Sequence, residues 1–327
     1  MSSPAGGEDS EQKSIKGRRI ELNRFTFRKI WSLIYSDPTG ASLAKVILLA
    51  TRDWFSQVEV SSGPQIVENN LISSNPKVLF VVHFYFEEYL DRLVSLINAA
   101  PDWADFLITS PNPESLELLA KQTANSSAIR EFVHVPNRGR NFAPFFVESQ
   151  DKWASYKYVA HLHTKRSIHT SRENAQTWSD RFWNLLNPSG ALMPRLISLF
   201  EDNADFRVAY PLMSDVMPVW SYGWLSNRRI ARRWFRNAKL IPPKEPFTYP
   251  IGGMFLVRSS YLIESFNRNH SYADFPLEKG QLDGTYQHLL ERLIGVLSSE
   301  PGSHLIYDTR RDRFVTDINW RNDVGLK

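Results

Sequence analysis

The chain has 327 residues, with 39 lysines and arginines against 35 acids and a formal net charge of +4. An apolar fraction of 42% with 13% aromatics supports a sizeable core and excludes global disorder. The absence of cysteine excludes disulfides, thiolate nucleophiles and Cys-ligated metal sites, and favours a reducing compartment, whereas +4 is too small to mark a nucleic-acid binder.

Residues 1–20 read as a disordered tail, Ser/Gly/Glu-rich at its start and without the apolar core of a secretory signal. Residues 21–76 form an N-terminal helical extension, with Phe25–Ile34 and Ala41–Phe55 as helices on either side of the breaker Asp37-Pro38-Thr39-Gly40. The longest apolar run, Val46–Ala50 inside Leu43–Thr51, is far shorter than the ~20 residues of a membrane helix. From residue 77 strands and helices alternate. Lys77–His83 is a continuous apolar strand, Glu87–Ala99 a helix, Asp105–Thr109 a strand and Pro113–Gln122 a helix. Phe132–Val135, Phe142–Gln150 and Tyr156–Leu162 follow as strand, helix and strand. This order predicts an α/β domain over 77–327, an open, mostly parallel sheet with helices on both faces.

Ligands of such sheets gather at the carboxyl ends of the strands. His83-Phe84-Tyr85, Asn137-Arg138-Gly139-Arg140-Asn141 and His163-Thr164-Lys165-Arg166 are therefore the places to search. A glycine between two arginines at a helix start suits a phosphate group, or is a solvated surface turn. His161 and His163 share one side of their strand, which leaves three readings open: a metal pair, structural histidines, or ligand-facing groups beside Lys165. Gly252-Gly253-Met254 lies in a predicted strand over Pro250–Arg258, where the glycines mark a bulge or a close approach. Asp283 precedes an amphipathic helix with Leu289, Leu290, Leu293 and Ile294 on its buried side, and is a cap or a general base. Trp220–Lys239 places Arg228, Arg229, Arg232, Arg233, Arg236 and Lys239 on one helical face, interleaved with Trp224, Trp234 and Phe235. That face is solvated, or meets an anionic membrane or acceptor.

Together these segments, from Val82-His83-Phe84-Tyr85 through Asp283-Gly284-Thr285 to Glu291-Arg292, resemble the rhamnan synthesis protein F family of bacterial polysaccharide glycosyltransferases. The likeness spans about Lys77 to Gly302 and includes Trp178, Arg181 and Asp274-Phe275-Pro276. The chain departs from the family pattern at Asn141, where an Asp is expected, and at Arg166, where a second Lys is expected. The resemblance implies a GT-A-like fold and transfer of a deoxyhexose such as L-rhamnose from a dTDP-sugar to a growing glycan, free or lipid-linked. It implies donor contacts from His83, Asn137, Arg138, Gly139, Arg140, Asn141, His163 and Lys165. Gly252, Gly253, Met254, Trp220 and Trp224 would meet the acceptor, and Asp283 would be the base of an inverting displacement. The strand ending at His163 carries no carboxylate where many such enzymes hold Mg²⁺ or Mn²⁺, so a metal-independent site is expected. A cytoplasmic location with peripheral membrane contact follows, with no nucleic acid as partner. Two rival readings are a catalytically idle nucleotide-sugar or glycan binder on the same fold, and a histidine-based metallohydrolase.

Overall fold

The computed structural model describes residues 61–62, 76–164, 172–213, 217, 221–281, 283–298, 300, 302–316 and 318–319. The two helices expected in residues 21–76 lie outside the described residues, as do the tail, Lys165, Arg166 and Trp220. Strand β1, Ser61–Ser62, pairs antiparallel with β10, Ile318–Asn319.

The remaining strands form one eight-stranded sheet. In chain order they are β2 (Val78–His83), β3 (Ala104–Ser110), β4 (Arg130–His134), β5 (Tyr158–His163), β6 (Val208–Pro211), β7 (Phe255–Arg258), β8 (His304–Asp308) and β9 (Arg313–Thr316). In space they run β4-β3-β2-β5-β7-β6-β8-β9. The pairings β2–β3, β2–β5, β3–β4 and β6–β8 are parallel, and β7 and β9 run antiparallel to their neighbours. The apolar run of β2 and the whole of β3, its Asp105, Thr109 and Ser110 included, are buried along their length because both strands lie inside the sheet. β4 carries Arg130, Glu131 and His134 and sits at the edge, where charged side chains block further pairing.

Helix α1 (Leu90–Asn98) buries Leu93, Leu96 and Ile97, and α2 (Pro113–Gln122) starts at Pro113, with the Asn112 side chain accepting from Glu114 N at 3.0 Å. These two helices link β2 to β3 and β3 to β4 in one direction along the sheet. Helix α3 (Phe142–Ser149) returns the chain from β4 to β5 in the opposite direction. Right-handed crossovers in opposite directions put their helices on opposite faces. Further along lie α4 (Arg172–Leu185), α5 (Leu192–Asp202), α6 (Arg228–Asn237), α7 (Ser259–Ser265) and α8 (Tyr286–Val296).

The predicted elements of 77–163 appear within two or three residues of their expected bounds. The strand expected over Pro250–Arg258 is shorter, starting at Phe255. Gly252 and Gly253 take φ of +104° and +76°, which turns the chain before the strand begins.

Gly295 brings α8 close to the segment before that turn. A Cβ there would lie 2.6 Å from Tyr249 Cα and 2.7 Å from Thr248 O, both backbone atoms. Helix propensity alone would make Gly295→Ala stabilising by about 1 kcal/mol. Backbone that cannot step aside reverses the sign, so Gly295→Ala is expected to destabilise by ~1–3 kcal/mol, read as a lower denaturation midpoint in urea.

Candidate functional site

The chain leaves β2 toward β3 on one side and places β5 on the other, so the order of the sheet reverses between β2 and β5. A crevice opens outside the carboxyl ends of strands at such a point. His83 and His163, the last residues of the two strands, are register partners across it. Just beyond, the Thr164 hydroxyl accepts hydrogen bonds from the backbone N–H groups of Tyr85 (2.8 Å) and Phe86 (2.9 Å), tying the two strand ends together. That oxygen still has its own proton to donate. Tyr85 is 44% exposed and lies edge-on to Phe86, so an open aromatic surface stands beside the paired strand ends.

The three histidines at this edge are buried. His83 Nδ1 lies 3.0 Å from Thr109 Oγ1, and burial lowers its pKa to about 4. His161 is enclosed by Phe145, Phe142 and Phe255, with centroids 4.5–5.3 Å away, and neither ring nitrogen makes a hydrogen bond. Burial, then repulsion from His83, lowers its pKa to about 3, against a weaker opposing effect from the nearby Asn141 and Gly253 backbone. His163 Nε2 donates to Gly252 O at 2.7 Å. Of the readings open for the His161/His163 pair, the structural one describes His161. Among the described residues no three His, Asp or Glu side chains converge as a metal site.

The Arg-Gly-Arg turn is built tightly. Gly139 has φ +69°, and a Cβ there would lie 2.4 Å from Ala143 Cβ, so only glycine fits. Arg138 Nε donates to Phe275 O at 2.5 Å, and Arg140 pairs with Glu278 (3.4 Å), lies 3.2 Å from His288 Nε2 and donates to Gln281 O. Both guanidiniums expected on a diphosphate are thus engaged with the segment 273–281. Asn137 is exposed, while Asn141 Nδ2 is buried without a partner.

The residues expected at the acceptor are packed inward. Met254 is fully buried, and Trp224 is buried against Phe247 and Phe235. The close approach at Gly253 is made by Phe142 and Asn141, which lie 2.8 and 3.0 Å from where its Cβ would be. The Gly252 N–H donates to Glu291 Oε1 at 2.6 Å, so the backbone of one residue links Glu291 of α8 to His163 at the end of β5.

Asp283 does not cap α8, whose first turn follows Thr285. It accepts from Asn227 Nδ2 (2.6 Å) and Ser226 N (3.1 Å), and pairs with Arg292 at 3.1 Å, with side chains only 4% and 3% exposed. Arg292 also donates to Gly223 O and His288 O and lies over the Tyr249 ring. Burial opposes its charge, but Asp283, Tyr249 and Glu291 more than offset this and raise its pKa. The sequence signal for this pair was an arginine within the apolar face of α8. Sequence reasoning assigned no role to Glu291, Arg292 or Thr164.

A family model described as rhamnan synthesis protein F matches residues 63–302. The chain belongs to this family. Two curated relatives, the uncharacterized protein WxcX of Xanthomonas campestris pv. campestris strains B100 and ATCC 33913, are each 24% identical over 230 residues. That is 70% of this chain but 32% of either relative, so this family member spans about a third of the length of the curated relatives it matches. Among solved structures, Staphylococcus aureus TarS 1–349 aligns with a TM-score of 0.38 at 10% identity, covering 73% of this chain and 59% of that one. The mannosyltransferase Ktr4p of Saccharomyces cerevisiae aligns with a TM-score of 0.33 at 10% identity, covering 88% and 84%.

Two outcomes follow for this rhamnan synthesis protein F chain. His83 and His161 have depressed native pKa values, so the unfolded state binds more protons below about pH 6.5, and stability falls as pH drops from 6.5 toward 4. Each contributes a loss of about 1.4 kcal/mol per pH unit in that window. His161→Phe keeps the aromatic packing and should flatten this pH dependence in thermal unfolding from pH 7 to 5. Separately, Asp283→Ala leaves Arg292 buried without its carboxylate and should cost ~3–5 kcal/mol, much of it recovered in Asp283→Ala/Arg292→Met, as urea denaturation of both variants would show.

Proposed function

We propose that the crevice between β2 and β5 binds a nucleoside-diphosphate sugar, and that the chain transfers the sugar to a hydroxyl of a growing glycan. Membership of the family supports this, and so does the reversal of strand order between His83 and His163, the one observation that carries the reading. The family's description points to a deoxyhexose donor of the dTDP-L-rhamnose type. Tyr85 supplies a stacking surface at the crevice and the Thr164 hydroxyl a donor. Lys165 and Arg166, next in sequence, are the cations assigned to the diphosphate. Arg138 and Arg140 take the role of holding the segment 273–281.

The reaction is a single displacement. The acceptor hydroxyl loses its proton to a carboxylate, its oxygen bonds to the anomeric carbon, and the bond to the diphosphate breaks with its electron pair on the leaving group. The family resemblance assigns the proton to Asp283. In our reading Glu291 receives it instead, because the Asp283 carboxylate is buried and already engaged by Asn227, the Ser226 N–H and Arg292. Glu291 is half-buried and is linked through Gly252 to the end of β5. The transfer is metal-independent in this reading. β5 ends in imidazoles, whereas Mg²⁺ and Mn²⁺ favour carboxylate oxygens. A cytoplasmic location belongs to this reading, and a chain without cysteine is compatible with it.

Two measurements test this. A thermal-shift series with dTDP-, UDP- and GDP-sugars should show stabilisation by the dTDP-sugar that EDTA leaves unchanged, and radiolabelled sugar should appear in glycan. Binding without transfer would identify an idle binder, and activity lost to EDTA and restored by Mg²⁺ would refute the metal-free site. Glu291→Gln should keep the fold while lowering the transfer rate ~10²–10⁴-fold. If it instead keeps the rate, and Asp283→Asn abolishes activity at unchanged stability, the base is Asp283.

A further inference from the structure

Residues 228–244 hold seven cations and no acid, although the whole chain has an excess of only four, so the rest of the chain is net acidic. Helix α6 supplies most of them. It buries Ala231 and Phe235, and Arg228 is committed to Glu245 at 2.7 Å. Arg229, Arg232, Arg233 and Arg236 are exposed and, at 100° per residue, occupy about 100° of the opposite face. Among the described residues none of these four makes an ion pair. At the helix end Lys239 takes φ +57°, and Lys239 N and Leu240 N bond back to Arg236 O (3.1 Å) and Phe235 O (2.9 Å). This close turns the chain outward with Leu240 51% and Ile241 91% exposed, followed by exposed Lys244.

A solvated basic helix accounts for the arginines but not for two exposed aliphatic side chains set among them. Cations flanking a protruding apolar tip match the two layers of an anionic bilayer, with phosphates at headgroup level and hydrocarbon just beneath. We infer that the solvent face of α6 and the Leu240–Ile241 tip form a docking surface for an anionic phospholipid membrane. The surface is independent of the transfer reading, since its occupancy needs neither donor nor catalysis. The two connect structurally: Ser226 and Asn227, just before α6, hold Asp283, so a bilayer on this helix lies one turn from the residues that frame Glu291. A soluble polyanion would use the same arginines and leave Ile241 unused.

The test is co-sedimentation of the full chain with phosphatidylcholine vesicles, with and without phosphatidylglycerol. Binding should require phosphatidylglycerol and weaken as salt rises. At ~5-fold per cation removed, Arg232→Glu/Arg233→Glu should weaken binding at least ~20-fold. Ile241→Asp, at a site too exposed to affect folding, should weaken it about 10-fold. Circular dichroism confirms that each variant is folded. Equal binding to neutral vesicles, or wild-type binding by the double variant, overturns the proposal. So does an unchanged Ile241→Asp variant that soluble heparin displaces completely, which would mark a polyanion site.

Discussion

One buried ion pair fastens the functional edge of this protein. Asp283 and Arg292 are almost wholly shielded from water, which is costly for both unless every charge is satisfied. The surroundings supply that satisfaction. Asn227, the Ser226 N–H, two backbone carbonyls and the Tyr249 face all converge on the pair. The pair thereby joins three separate stretches, namely the turn before α6, the segment before β7 and helix α8. Glu291 stands next to Arg292 on that helix, so its position relative to Gly252 and His163 follows from the pair. Moving α8 would break the chain of bonds that ends at β5.

The sheet imposes the second constraint. The chain departs from β2 in one direction and returns to its other side at β5, so the order of the sheet reverses between them. His83 and His163 close the gap from below and Thr164 clasps it from above. Tyr85 and Thr164 thereby lie together at the paired strand ends. The histidines contribute shape rather than charge there, since burial keeps His83 and His161 neutral at physiological pH.

The alternation of strands and helices was legible because β2 opens with five consecutive apolar residues and α2 follows Asn112 with Pro113 at its start, signals that depend only on local sequence. The motifs Val82–Tyr85 and His161–Thr164 do fall side by side, at the paired carboxyl ends of β2 and β5. What sequence could not supply was the direction of individual side chains. Arg138 and Arg140 look like phosphate ligands until the segment 273–281, well over a hundred residues away, receives them. Met254 and Trp224 read as acceptor contacts, yet each is claimed by packing. Asp283 has the spacing of a cap or base, and its partners on 226–227 are invisible to any local pattern. Arg292 did leave a trace, as a charge placed among the leucines of α8, and such a residue calls for a buried partner. The modest total of +4 also concealed its distribution, which concentrates seven cations in 228–244.

The central claim is the location of the donor, and a crystal structure of the protein with a bound dTDP-sugar or dTDP tests it most directly. The account predicts the nucleotide in the crevice at the ends of β2 and β5, its base against Tyr85 and its diphosphate beside Thr164. A nucleotide bound instead at the start of α3 with Arg138 and Arg140 released from the segment 273–281, or bound at the opposite edge of the sheet, would contradict it.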